Sequence, residues 1–135
     1  MPSAETFIHL FETSQKIGRL NEAAFLLHQA AERAYHCILL VLTNYTPATH
    51  NLKHLRSLTE SRDERLRPIW PQDTKEHRRR YELLKRAYID ARYSVHYKIT
   101  EEELDYLSER VQLLHTTARQ ICEERLAELC GGDGA

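Results

Sequence analysis

The stretch Arg92-Tyr93-Ser94-Val95-His96-Tyr97 places an arginine and a histidine with three residues between them, where one helical block ends and the next has not begun. Histidine titrates near neutrality, so it can take the proton of a ribose 2′-hydroxyl or return one to a leaving oxygen. Arginine can hold a phosphate and stabilise the charge that develops on it. Arg92 and His96 are therefore the parts for metal-free RNA cleavage. With eight histidines in 135 residues, composition alone makes such a pair unspecific.

Three further groups of residues carry possible chemistry. His28, Glu32 and His36 follow one another at i, i+4 steps and share a helix face, as the start of a metal site would. No second helix repeats the pattern, and Gln29 and Arg33 beside it read as a polar stripe, so neither a metal nor another cofactor is expected. Arg78, Arg79 and Arg80 form a basic run, with Lys85 and Arg86 two turns on. Consecutive arginines fan around a helix. The run is either a solvated helix start or, because cations oppose the macrodipole there, a place where acidic neighbours or a bound phosphate offset it. The candidate phosphate ligands are Arg78, Arg79, Lys85, Arg86 and Arg92. His50, next to Asn51, reads as a capping or loop-packing residue.

The elements that must position these groups are helices. Apart from Gly18, every glycine lies at or after Gly131, so the turn glycines of an all-β domain are missing. Ser3 to Ile17 carries Phe7, Leu10, Phe11 and Ile17 on one stripe. Asn21, a plausible N-cap, opens a helix to about Thr43. Its apolar face of Ala24, Leu27, Ala31, Ala34, Ile38 and Val41 is widened by Ala23, Leu26, Ala30, Cys37 and Leu40, which predicts a central helix. A short helix from Leu52 to Ser61 turns Leu52, Leu55 and Leu58 inward. Trp70, between Pro68 and Pro71, is expected to plug the end of the bundle. Asp73 with Glu76 resembles a capping box for a helix running to about Arg92, with Tyr81, Leu84, Tyr88 and Ala91 inside. Thr100 with Glu103 repeats that device. Leu104, Leu107, Val111, Leu114, Ala118 and Ile121 then alternate spacings of three and four, as in the seam of an antiparallel bundle.

The expectation is one all-α, up-and-down antiparallel bundle of about four or five helices over residues 1–130, followed by a flexible tail over 131–135. No apolar run approaches the roughly 18 residues of a membrane span, and the N-terminus lacks the pattern of a signal peptide. Cys37, Cys122 and Cys130 are odd in number and lack CxxC spacing, which fits reduced thiols in a cytoplasmic protein. The net charge of −1 conceals +5 over Lys75–Lys98 and −5 over Glu101–Leu129. The two blocks either pair across neighbouring helices or leave a basic face for an anionic ligand.

Three pieces resemble the HEPN family of helical domains, particularly the type found with or fused to small nucleotidyltransferases. They are Ala23 to Arg33 with its apolar continuation, Pro47 to Leu55, and Leu84 to Tyr93 leading into Thr100 to Val111. The resemblance implies an up-and-down bundle, commonly a symmetric homodimer, with the arginine corner near the dimer interface. It also implies a nucleotidyltransferase partner or a nucleotide or RNA ligand. The favoured expectation is a non-catalytic, nucleotide-binding or regulatory module. The alternative is a toxin-like, metal-independent endoribonuclease using Arg92 and His96. Ribonuclease members space the two residues more widely than this chain does; one residue further on, Tyr97 takes the histidine's place, and a phenol is a poor base at neutral pH.

Overall fold

A computed structural model describes residues 20–94 and 96–134, with Thr6, Ile8, His9, Leu10 and Glu12 before them; beyond Gly131 it describes the backbone alone. The elements are α1 (Leu20–Thr43), α2 (Leu52–Glu60), a 3-10 turn (Glu64–Ile69), α3 (Lys75–Arg86), the short α4 (Asp90–Tyr93) and α5 (Glu101–Gly134). Among the described residues there is no strand, and the expected all-helical bundle is what forms. Helical backbone continues past residue 130 to Gly134.

α1 is the central element, packing chiefly on α5 and also touching α2, α3 and α4. Its small residues explain the close approach: Ala23, Ala24, Ala30 and Ala31 are fully buried beside Leu27 and Ile38. The wide apolar arc needs correcting at one edge, because Leu40 and Cys37 are exposed while Tyr35 and Leu39 are buried. Asn21 lies within the first turn rather than capping it, and its Nδ2 donates to the Tyr97 carbonyl at 3.3 Å. Asn44 ends the helix with a positive φ of 59° while its N–H donates to the Leu40 carbonyl, the left-handed C-terminal stop that asparagine tolerates.

α5 buries Leu104, Leu107, Val111, Leu114, Ala118 and Ile121, the whole expected seam. Its start is the expected capping box: Glu103 N–H donates to Thr100 Oγ1 at 3.1 Å, and Thr100 N–H donates to Glu103 Oε1 at 2.9 Å. The start of α3 differs. Thr74, not Asp73, is the N-cap and accepts from the His77 N–H, while Asp73 accepts from the His77 ring. The helix expected to reach Arg92 breaks at Ala87–Ile89 and restarts as α4, which sets Tyr88 in a turn facing α1. Trp70 is buried, packed on Tyr81 of α3, and its Nε1–H donates to the Tyr35 hydroxyl of α1 at 2.9 Å, so it stands between the middles of two helices. Before α1, Ile8 packs against the core and Leu10 is exposed; Phe7, Phe11 and Ile17 of the first expected stripe lie outside the described residues.

Candidate phosphate-binding site

The three pieces of sequence singled out above meet at one corner. Glu32 comes from α1, His50 from the residue before the N-cap of α2, and Tyr88 and Arg92 from the turn after α3 and from α4. The His50 ring donates through Nδ1 to Glu32 Oε1. The Glu32 side chain is 5% exposed and that of His50 is 57% exposed, so a buried carboxylate holds an imidazole that faces outward. The His50 ring also lies on Tyr88, with centroids 4.5 Å apart and planes 14° apart. Two contacts fix its plane.

His28 completes the buried side of the cluster. It is fully buried, its ring is 5.4 Å from that of Tyr88, and its Nδ1 is 3.9 Å from Glu32 Oε2. Neither ring nitrogen has a hydrogen-bond partner among the described residues. Burial first, then the positive potential of His50 and Arg92, brings its pKa down to about 4, with only the His50 backbone opposing. His28 is therefore neutral at physiological pH. His36, on the same expected stripe, is half-buried and does not join the cluster. Among the described residues no group of His, Cys, Asp or Glu is arranged to hold a metal ion.

Arg92 is held at this corner by its own backbone and by rings. Its Nε and Nη2 donate to the Tyr88 carbonyl at 3.1 and 2.8 Å. Its guanidinium lies 4.3, 5.1 and 5.0 Å from the ring centres of Phe25, Tyr88 and Tyr93. His96 is exposed, and no hydrogen bond or ring contact among the described residues joins it to Arg92; its backbone N–H donates to Ser94 Oγ. Tyr97 is buried, and its hydroxyl donates to the Leu83 carbonyl at 2.7 Å. Burial pushes that phenol well above its ordinary value, so it serves the packing of the corner.

The basic run divides. Arg78 donates to the Gln72 carbonyl at 2.7 Å, Arg79 pairs with Glu76 and Glu103, and Arg80 pairs with Glu76 and Glu102. These three are taken up by the bundle. Lys85 and Arg86 instead border a groove of about 500 Å³ whose other walls are His50, Asn51, Leu52, Lys53, Tyr88, Ile89 and Asp90. Arg86 Nε donates to Asp90 at 2.8 Å across this lining, and Lys85 lies 3.0 Å from Glu82 outside it. The first turn of α2 adds the partial positive charge of its N–H groups, of which that of His54 donates to the Asn51 side chain at 3.1 Å. Lys53, His50, Lys85 and Arg86 thus line one concave surface, with the Asp90 carboxylate the one acid in its lining.

Sequence reading missed Lys53 and gave His50 a capping or packing part. Asn51 is the cap, and His50 stands over the groove. The signal was present in the Pro47–Leu55 piece, but nothing in spacing told that Glu32, 18 positions earlier, would meet it.

The fold and this corner define a small all-helical bundle with a groove beside a histidine–carboxylate cluster. The model of the HEPN domain matches residues 1–121, and the chain belongs to that family. No curated protein matches the chain. No described helix is long and apolar enough to cross a membrane.

Proposed function

We propose that this HEPN chain is a nucleotide-binding module, acting as a cytoplasmic homodimer beside a nucleotidyltransferase, and that the groove between α2 and α3 takes the ligand's phosphates. One observation carries the reading: Lys53, Lys85, Arg86 and His50 converge on a single groove of about 500 Å³ at the N-terminus of α2. Charge-assisted contacts from these side chains select a phosphate, and exposed Ile89 offers apolar surface to the rest of a nucleotide. Exposed Tyr93 lies on the corner that a second copy would cover.

Calorimetric titration of the full chain with ATP tests this. Binding is expected, weakened by about tenfold or more in a Lys53→Ala/Lys85→Ala double variant, since each tenfold step is only ~1.4 kcal/mol. Absence of binding, or an affinity indifferent to the double change, overturns the groove as the site. Sedimentation velocity tests the dimer separately, and a monomer at tens of micromolar removes that part.

A second reading, metal-independent RNA cleavage by Arg92 and His96, has one observation in its favour. Both side chains are exposed on the same corner, and Arg92 is pre-held over three aromatic rings with Nη1 free of any partner among the described residues. Incubation with mixed-sequence RNA in EDTA, beside Arg92→Ala and His96→Ala, decides it: cleavage lost in both supports the pair, and no cleavage removes it.

A further inference from the structure

Cys37 and Cys122 lie 85 positions apart in the chain and meet where α1 packs on α5. The Cys122 thiol donates a weak hydrogen bond to the backbone carbonyl of Cys37 itself, at 3.8 Å. Each cysteine adjoins a buried isoleucine, Ile38 on α1 and Ile121 on α5. Ala34 and Ala118, about one turn before them, are also buried and leave little bulk between the two backbones. Leu42 of α1 walls the same cleft as Ile121 and Arg125 of α5, so this register of the two helices holds over the next turn as well. The two thiols differ in access: Cys37 is exposed and Cys122 is half-buried. Burial, then the neighbouring Cys37 and Glu123, pushes the Cys122 thiol upward, which leaves Cys37 the first to meet an oxidant.

We propose that Cys37 and Cys122 are a redox-sensitive pair that hydrogen peroxide closes into a disulfide between α1 and α5. Cys37 reacts first. Its sulfur bonds to one peroxide oxygen, the O–O bond breaks, and the departing hydroxide takes the proton that the thiol gave up and leaves as water. Cys37 is then a sulfenic acid. The Cys122 sulfur, already resting on the backbone of residue 37, attacks the Cys37 sulfur. The S–O bond breaks with its electron pair, and the oxygen takes the Cys122 proton and leaves as a second water. Two thiols are oxidised to one disulfide while one peroxide is reduced to two waters. Every residue that borders the groove lies between the two cysteines in the chain, so the bond closes one covalent loop around the site. With it in place α1 cannot part from α5. In a reducing compartment the bond is transient, forming as peroxide rises and reversed by thiols.

The test uses the full chain carrying Cys130→Ser, a change at an exposed position that removes the third thiol and any crosslink through it. The folded protein is treated with hydrogen peroxide, quenched with N-ethylmaleimide, and read by intact mass and tryptic peptides. Expected are a single chain lighter by two hydrogens, neither thiol alkylated, a peptide pair joining Cys37 to Cys122, and two alkylated thiols again after dithiothreitol. A second measurement asks whether the fold drives the bond. Equilibrated with reduced and oxidised glutathione, the folded pair is expected to show an effective concentration at least about tenfold above that of the chain unfolded in urea, whose distant cysteines seldom meet. Three results of the peroxide treatment overturn the pair: both thiols still alkylated, Cys37 carried on to sulfinic acid beside a free Cys122, or links found between copies alone. An effective concentration no higher in the fold than in urea overturns it too, because the packed helices then do not favour the bond.

Discussion

At the residue scale, the cluster around Tyr88 puts an imidazole where water cannot reach it. His28 has an unfolded-state pKa near 6.5 and a folded value of about 4. Below pH ~6.5 the unfolded chain therefore takes up a proton that the folded chain refuses, and stability falls until pH ~4, below which the loss levels off. The gap corresponds to roughly 3 kcal/mol for this one group. His28→Leu, which keeps an apolar volume without titrating, is expected to flatten the acid limb of the urea-unfolding midpoint against pH. Parallel acid limbs in parent and variant would sink the assignment. Part of this was legible in the sequence: the i, i+4 spacing correctly put His28 and Glu32 on one face. What spacing does not encode is which neighbour that face meets. His50 and Tyr88 arrive from loops 22 and 60 positions along the chain from His28, and only the packed bundle brings them to it.

At the element scale, helix starts depend on single side chains. Thr100 and Glu103 satisfy each other's backbone donors, so Thr100→Ala is expected to cost about 1 kcal/mol of unfolding free energy by urea titration. The α3 start makes a sharper comparison. Thr74 accepts from the His77 N–H, whereas Asp73, itself exposed, bonds only the His77 ring, so Thr74→Ala is expected to cost about 1 kcal/mol and Asp73→Ala measurably less. The reverse order would return the cap to Asp73. Sequence reading placed the helices well because breakers and apolar periodicity are local. It erred where two capping residues stand side by side, and where the helix through Tyr88 breaks without a glycine or proline to mark it. That break matters for the site: a helix continuous to Arg92 would carry Tyr88 on a regular face, without the turn carbonyl that Arg92 now grips.

At the scale of the whole molecule, the opposed charge blocks resolve into two jobs. Arg79 and Arg80 cross from α3 to Glu103 and Glu102 of α5, which is the pairing of blocks that the charge pattern allowed. Lys53, Lys85 and Arg86 stand at the other end of α3, around the groove. The division follows from geometry: twelve residues of α3 lay its first turns along the start of α5 and its last turn beside α2. Arg79→Ala leaves the Glu103 carboxylate, 6% exposed, without its cation, although Thr100 N–H still bonds it. A loss on the order of 1 kcal/mol is expected, discounted because Arg79 itself is half in solvent. ATP affinity of the folded fraction is expected to stay as in the parent. Lys85→Ala should do the opposite: its partner Glu82 is exposed on the same helix, so stability is expected within about 0.5 kcal/mol of the parent while ATP binding weakens. Urea unfolding and ATP titration on the two variants therefore form a cross. If Arg79→Ala weakens binding as much as Lys85→Ala does, the ligand surface extends along the whole of α3, and the groove alone is too small a site.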